Sequence, residues 1–159
     1  MSGFDRIITS LARQFQSMWE MCREAIDTCG ESQWRKEIDD PFFVPGRVIL
    51  HVIETADYYL DAHPDSFVWG ALADFETCPS ADLPGRERIG AYLDAVRTKS
   101  RAWLASRAES DLNAPEQIFN TDWETDLERA VYVMRHSQHH LGQLSLDLQR
   151  RGLGEIGWR

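Results

Sequence analysis

The sequence predicts an all-α protein built as a four-helix bundle. Four segments carry apolar residues at the three- and four-residue spacing of amphipathic helices, and no segment shows the strict alternation of a strand. Turn-forming residues fall in the connections, which are long between helices one and two, two and three, and three and four. A chain of 159 residues is about the length of one domain, so we expect a single domain over residues 1–159 with one apolar core. Amphipathic helices of this kind bury their apolar faces against one another in a bundle.

The first predicted helix runs from Phe4 to about Cys29, and its apolar residues recur at the helical period. Gly30 supplies a stop, since glycine is common directly after a helix. The connection over residues 31–43 mixes charged residues with an Asp-Pro turn signal, and it has room for one short helical turn.

The second predicted helix begins at Pro45, because the first turn of a helix tolerates a residue without an N–H. It is expected to run to about Ala62 and to end at His63, which precedes a proline and is therefore pushed out of the helical region. The connection from there to Leu83 is about twenty residues long. Loops of that length are uncommon in compact domains unless they are functional, so we expect this one to cover something.

The third and fourth predicted helices complete the bundle. The third runs from Arg86 to about Glu109. The fourth starts at a capping box, in which Thr125 and Glu128 stand three residues apart, and it continues to Gly152. This last helix carries three of the five histidines of the chain.

The charge and hydropathy of the chain argue against two kinds of partner. The formal net charge is −9, from 17 Lys and Arg against 26 Asp and Glu, so we expect no nucleic-acid partner. No apolar run approaches the roughly 18 residues that a membrane span needs, and the N-terminus lacks the pattern of a signal peptide, so we expect no membrane partner and a cytoplasmic location. The odd number of cysteines and their spacing fit neither a disulfide framework nor a zinc motif, so packed or free thiols are expected at Cys22, Cys29 and Cys78.

The histidines suggest a metal site. His136 and His140 are four residues apart and share one face of a helix, and His139 is three residues from His136 and is an alternative partner for it. His51 lies on the partly apolar face of the second predicted helix and could supply a ligand from a facing helix. Three histidines leave coordination positions open, which is the ligand count of a catalytic ion, and zinc, nickel, copper and iron all accept imidazole.

Residues 136–144, in which His-x-x-x-His is followed by x-Gly-Gln-Leu, resemble the fourth-helix signature of the DinB/YfiT-like metalloenzyme superfamily. The histidine within residues 49–54 is similar to one that family members carry in the second helix, and residues 83–88 are similar to the opening of their third helix. The resemblance therefore covers most of the chain.

This resemblance implies an up-down-down-up four-helix bundle and a bound divalent ion, most often zinc or nickel. It implies that His51, His136 and His140 are the ligands, because the family places its second ligand immediately before x-Gly-Gln. Many members have an arginine where this chain has Leu141, so a role tied to that arginine is absent or moved. The resemblance also implies a homodimer.

Further residues are candidates for the surroundings of the ion. Gln143 and His139 are expected to orient a ligand or a bound water, and Glu54 and Asp57 are candidates for a fourth ligand or a general base. For Gly142, which is unfavourable inside a helix, close helix packing is the plain explanation.

Aromatic and basic residues are candidates for substrate binding. Trp69 and Trp123 lie in the long connections, and they would line an apolar pocket if these connections fold over the ion. Arg86 and Arg88 could pair with an acidic substrate.

Two functions are compatible with these features. The first is a metal-dependent enzyme that activates water for hydrolysis, or a low-molecular-weight thiol for transfer or isomerisation, on a small-molecule substrate. The second is a non-catalytic metal-binding or stress-response bundle in which the ion is structural or sensory. The sequence identifies neither the substrate nor the metal.

Overall fold

The structure is a computed structural model that describes residues 3–37, 40, 42–115, 118–119 and 123–159. Of the described residues, 67% are helical, and none of them forms a strand. The six helices of that part are α1 (Gly3–Thr28), α2 (Glu31–Trp34), α3 (Pro45–Tyr59), α4 (Arg86–Ala105), α5 (Glu109–Leu112) and α6 (Asp126–Arg150). Two 3-10 turns, Pro64–Ser66 and Ser80–Asp82, lie in the connection between α3 and α4. The prediction of an all-α fold is confirmed.

The four long helices begin where the sequence predicts, but two of them end earlier. α3 ends at Tyr59. The N–H of Leu60 donates to the carbonyls of Ala56 and Tyr58 and closes the last turn, and the Leu60 side chain is buried directly after the helix. α4 ends at Ala105, and the chain restarts as the short α5. The carboxylate of Asp111 accepts a hydrogen bond from the N–H of Ala108 and fixes that restart.

Each long helix packs against two others around one apolar core. α1 contacts α4 and α6, and α3 contacts the same two helices from another side. The core contains buried side chains from all four helices, among them Trp19, Ile53, Leu93 and Leu141. The packing of α3 against α6 brings the two helices that carry the candidate histidines together.

Two buried tryptophans fix these helices in place. Trp19 Nε1 donates to the hydroxyl of Ser100 at 2.9 Å and links α1 to α4. Trp34 Nε1 donates to the carbonyl of Pro84 at 2.8 Å, so that α2 is held at the start of α4. Trp34 also packs on Gly46, where an added Cβ would lie 2.9 Å from the indole ring. Gly46 therefore lets α3 approach α2 closely.

The long connection between α3 and α4 is held by Arg47, which is 5% exposed. Its guanidinium donates to the carbonyl of Phe75, and to the carbonyl of Cys78 at 2.7 Å. A third hydrogen bond reaches the hydroxyl of Ser80 at 3.3 Å. The loop is thereby fixed against α3, and Phe75 lies beside the ring of His51.

The three cysteines are free thiols, as predicted. Burial raises the pKa of Cys22 to about 12 and that of Cys29 to about 11. In the part of the chain that the structure describes, no helix combines the length and the apolar character that crossing a membrane requires.

Candidate metal centre

Three histidine rings meet between α3 and α6. His51 Nε2 lies 3.1 Å from His136 Nε2 and 3.2 Å from His140 Nε2. His51 comes from α3, whereas His136 and His140 stand one turn apart on the face of α6 that packs against it. One ligand atom from each residue lies within 4.8 Å of the others, and we call these three residues the histidine cluster.

Neighbouring side chains hydrogen-bond to two of these rings, and one of them sets the tautomer of its ring. The Nδ1 atom of His140 lies 2.9 Å from Oε1 of Gln143, and since an amide oxygen only accepts, His140 carries its proton on Nδ1. The Nδ1 atom of His51 lies 3.4 Å from the hydroxyl of Thr55, which can either donate to this nitrogen or accept from it. With its proton on Nδ1, His140 has a free lone pair on Nε2 that faces the cluster.

The cluster is uncharged at neutral pH. Burial, together with the neighbouring His136 and His140, lowers the pKa of His51 from 6.5 to about 3. Burial also lowers the pKa of His136 to about 4, with contributions from His140 and His139. The pKa of His140 is lowered by burial as well, although its hydrogen bond with Gln143 opposes the shift. All three imidazoles are therefore in the form that coordinates a metal.

The spacing of the nitrogens fits a divalent ion. Zinc–nitrogen bonds of about 2.0–2.1 Å in a tetrahedral site place two ligand nitrogens roughly 3.3 Å apart. His51 Nε2 is 3.1 and 3.2 Å from its two partners. Without a cation, contacts this short require one ring to donate a hydrogen bond to another, because two facing lone pairs repel each other. No carboxylate or thiol of the described residues joins the group, so a bound ion would have three neutral ligands and open positions.

Aromatic rings surround the cluster, and the sequence did not single these residues out. Phe75 lies 4.5 Å from His51 between ring centroids, and Phe42 lies 5.7 Å from the same ring. Tyr132 stacks on His136 at 5.8 Å with an interplanar angle of 24°. Tyr132 stands four residues before His136, so helical spacing could have indicated it. Phe42 and Phe75 lie in connections, whose paths are set by tertiary contacts.

The candidate residues around the ion take different positions. Gln143 hydrogen-bonds to His140, which is the kind of contact that was expected of it. His139 is exposed and lies 5.1 Å from the His140 ring, outside the histidine cluster. Asp57 accepts hydrogen bonds from Tyr92 and Lys99, so it does not face the cluster as a base.

Glu54 also lies outside the group of candidate ligands among the described residues. Its Oε1 atom instead accepts a hydrogen bond of 2.6 Å from the N–H of Gly70. In this structure Glu54 is therefore a residue of the neighbouring pocket and not part of the group of three ligands. The residue is 2% exposed and lines a cavity beside the cluster.

Trp69 and Trp123 lie in the connections, and each is linked to the histidine cluster through another aromatic residue. Trp69 lines the same cavity as Glu54, together with Phe75. The cavity also carries three carboxylates, which the expectation of an apolar pocket did not include. Trp123 packs on Tyr132 at 4.5 Å, and Tyr132 in turn stacks on His136.

Of three remaining candidates, Arg86 and Gly142 have surroundings other than those expected, and the role of Arg88 stays a prediction. Arg86 donates to the carbonyls of Ile26 and Asp27 at the end of α1, so its guanidinium is engaged away from the cluster. Arg88 is exposed. Gly142 is exposed, and a Cβ built there would meet nothing within 4 Å, so the explanation by close helix packing is wrong.

The fold and the cluster define an all-helical protein with three histidines on two facing helices, arranged so that they could hold a metal ion. A family model described as the DinB superfamily matches residues 14–144 of the chain. The protein belongs to the DinB superfamily, whose members typically bind metal. Comparisons with the curated proteins and with the solved structures found no match.

Proposed function

We propose that the protein is a divalent-metal-dependent enzyme that activates a low-molecular-weight thiol or a water molecule for attack on a small-molecule substrate. The convergence of the three neutral Nε2 atoms carries this proposal. A divalent ion held by three neutral ligands supplies Lewis acidity, which lowers the pKa of a thiol or water that it binds. The reaction would be a thiol transfer or isomerisation, or a hydrolysis.

The residues around the cluster have definable roles in such a site. Gln143 holds His140 in the tautomer that presents Nε2 to the ion, and Thr55 contacts Nδ1 of His51 and orients that ring. Phe42 and Phe75 lie against His51 and limit the access of bulk water to it. A site shielded in this way strengthens electrostatic interactions with a bound substrate.

The competing proposal is a non-catalytic bundle in which the ion is structural or sensory. Its requirement would be a closed coordination sphere, in which a fourth protein ligand completes a tetrahedron. The described residues offer three ligands in the group and no fourth. This observation favours the enzyme.

Finer features of the proposal follow from membership of the superfamily. We propose zinc or nickel as the ion, an up-down-down-up order of the four long helices, a homodimer, and a cytoplasmic location in which cellular thiols are available. The pairwise packing of α1 and α3 against both α4 and α6 supports the helix order.

The test is elemental analysis of the native protein beside three variants. We expect close to one divalent ion per chain in the wild-type protein, and loss of the ion in His51→Ala and in His140→Ala. His139→Ala is the matched control, since this exposed residue of the same helix lies outside the cluster, and it should retain the ion. Unchanged metal content in both cluster variants would overturn the assignment.

Thiol activation needs a second measurement. The protein is loaded with cobalt(II), and its ligand-field absorption is followed while 2-mercaptoethanol is added. A spectral change that saturates supports an open position that accepts a thiol. A spectrum that stays the same with thiol and with pH would support the closed, non-catalytic site.

A further inference from the structure

A second site lies beside the histidine cluster, in a cavity of about 340 Å³ under the connection between α3 and α4. It is lined by Glu54, Trp69, Gly70, Asp74, Phe75 and Glu76. Three of these six residues are acidic and none is basic. The cavity is therefore built for a positively charged occupant.

Glu54 gives the most direct indication of a missing ligand. The residue is 2% exposed, and its Oε2 atom has no hydrogen-bond partner of ordinary geometry among the described residues. The N–H of Gly70 donates to Oε1 at 2.6 Å, and the backbone of Ala71 also acts on the carboxylate and opposes the rise of its pKa. A buried carboxylate oxygen without a donor costs free energy, so a donor from a ligand would stabilise it.

Asp74 supplies a fixed negative charge at the same cavity. The hydroxyl of Thr77 donates to it at 2.6 Å, and the N–H of Glu76 donates at 2.9 Å. These hydrogen bonds hold the pKa of Asp74 below its usual value, so the carboxylate stays ionised. Glu76 adds a third carboxylate at the exposed rim of the cavity.

The arrangement does not suit a bare metal ion. A cation such as calcium needs several oxygen ligands at roughly 2.3–2.6 Å from the ion. The described carboxylates of the cavity do not form a group of three whose ligand atoms lie within 4.8 Å of one another, whereas the three histidines do. A larger organic cation is compatible with carboxylates spread around a cavity.

Aromatic walls favour the same kind of ligand. Trp69 is 47% exposed and packs on Tyr58 at 4.6 Å, which leaves part of the indole available. Phe75 forms another wall and contacts the His51 ring at 4.5 Å. Aromatic faces attract ammonium and guanidinium groups. Arg47 of α3 is a buried cation that anchors this loop. Its guanidinium donates to the carbonyls of Phe75 and Cys78, and Arg47 does not line the cavity.

We propose that this cavity binds the ammonium or guanidinium group of an organic cation, with Glu54 and Glu76 pairing with its charge and Trp69 and Phe75 enclosing its carbon atoms. Phe75 lines the cavity and also contacts the His51 ring, so the bound molecule lies next to the histidine cluster with this one side chain between them. This inference rests on the proposed function in assigning that molecule as the substrate. The binding site itself stands on the cavity alone.

The test is a titration of metal-free wild-type protein with 2-phenylethylammonium chloride, followed by calorimetry and by tryptophan fluorescence. Neutral 2-phenylethanol and anionic 3-phenylpropionate are probes of similar shape. We expect the ammonium to bind at one site per chain, about tenfold or more tighter than either probe, because a charge-assisted pair is lost in both. Added salt should weaken its binding.

Variants locate the probe. Glu54→Gln and Glu76→Gln should each weaken ammonium binding by about tenfold. Glu87→Gln, at an exposed carboxylate of α4, removes the same charge elsewhere and should leave the affinity unchanged. Trp69→Phe should keep the calorimetric signal and lose most of the fluorescence change. Equal affinity for ammonium and alcohol, or unchanged affinity in both glutamate variants, would overturn the site.

The experiment separates this inference from the proposed function, because no metal is present. Selective ammonium binding, combined with a native protein in which elemental analysis finds no divalent ion, would uphold the cation site and overturn the metal enzyme. A protein that holds its ion in the histidine cluster but shows no preference for ammonium would overturn the cation site alone.

Discussion

The Nδ1 atom of His140 lies 2.9 Å from the Oε1 atom of Gln143, so a residue one helical turn away determines which nitrogen of His140 faces His51. An amide oxygen requires the proton to be on Nδ1. The lone pair of Nε2 is thereby directed at the place where the three rings meet.

We expect Gln143→Leu to lower the affinity for a divalent ion by about 10- to 100-fold, because the tautomer and orientation of His140 are no longer held. Competition with a chromophoric chelator measures the affinity. Gln149→Leu is the matched control, since Gln149 lies on the same helix and hydrogen-bonds to Glu155. An affinity that is the same in Gln143→Leu and in the wild type would show that His140 is oriented by other contacts.

Removal of the ion should leave the helices intact. The apolar core of the four long helices does not involve the histidine cluster, so it persists without metal. Binding to the folded state adds about 2.7 kcal/mol when the free ion is at 100 times its Kd, so the melting temperature should fall on chelation. Far-ultraviolet circular dichroism with and without a chelator provides the measurement. Collapse of the helical signal would favour the structural role of the ion.

Gly142→Ala should stabilise the protein by about 1 kcal/mol, because alanine is favoured in a helix and the added Cβ meets open space. Chemical denaturation of the metal-free protein measures the change. Gly46→Ala is the contrasting variant, and we expect it to destabilise by about 1–3 kcal/mol because its Cβ would collide with Trp34. If Gly142→Ala weakens the protein instead, Gly142 is in contact with another chain, and the oligomeric state should change with it.

Glu54→Gln should raise the free energy of unfolding at pH 7 by about 1 kcal/mol, because a buried, incompletely paired charge is removed. Burial raises the pKa of Glu54 above 4.5, so the folded protein binds this proton more tightly than the unfolded chain does. Its contribution to stability is therefore full below about pH 4.5 and is lost as the pH rises through the folded-state pKa. The advantage of the variant should disappear in acid.

Urea denaturation of both proteins at several pH values tests this. A difference that is independent of pH would mean that Glu54 is neutral or fully paired throughout. A variant that is stabilised but binds no organic cation would show that Glu54 is required for ligand binding although it lowers the stability of the protein.

Local sequence patterns predicted the long helices and two of the three residues of the histidine cluster. Thr125 accepts a hydrogen bond from the N–H of Glu128, as the capping pattern implied, so the start of α6 could be placed from sequence. His136 and His140 share a face of that helix by spacing alone. The contact of these two residues with His51 depends on how α3 packs against α6. The family resemblance, and not a local pattern, indicated His51 as the third residue.

The surroundings of the cluster could not be predicted in this way. Phe75 reaches His51 because Arg47 holds the loop by its carbonyls, and no local pattern encodes that contact. An arginine inside the apolar run of the second predicted helix was an available indication that a buried cation needs partners. From sequence alone Glu54 is a candidate metal ligand, because its spacing from His51 does not show that the N–H of Gly70 engages its carboxylate.

Because Arg47 anchors the loop through main-chain carbonyls, the path of the loop around the cavity does not depend on which side chains line it. Arg47 binds main-chain carbonyls at Phe75 and Cys78, and every amino acid carries a carbonyl. Substitutions at the loop positions that face a ligand therefore leave the anchor in place. Exchange of Trp69 or Glu76 alone would change the ligand preference of the cavity on an unchanged scaffold, whereas loss of the guanidinium would release the part of the wall around Phe75 and Cys78.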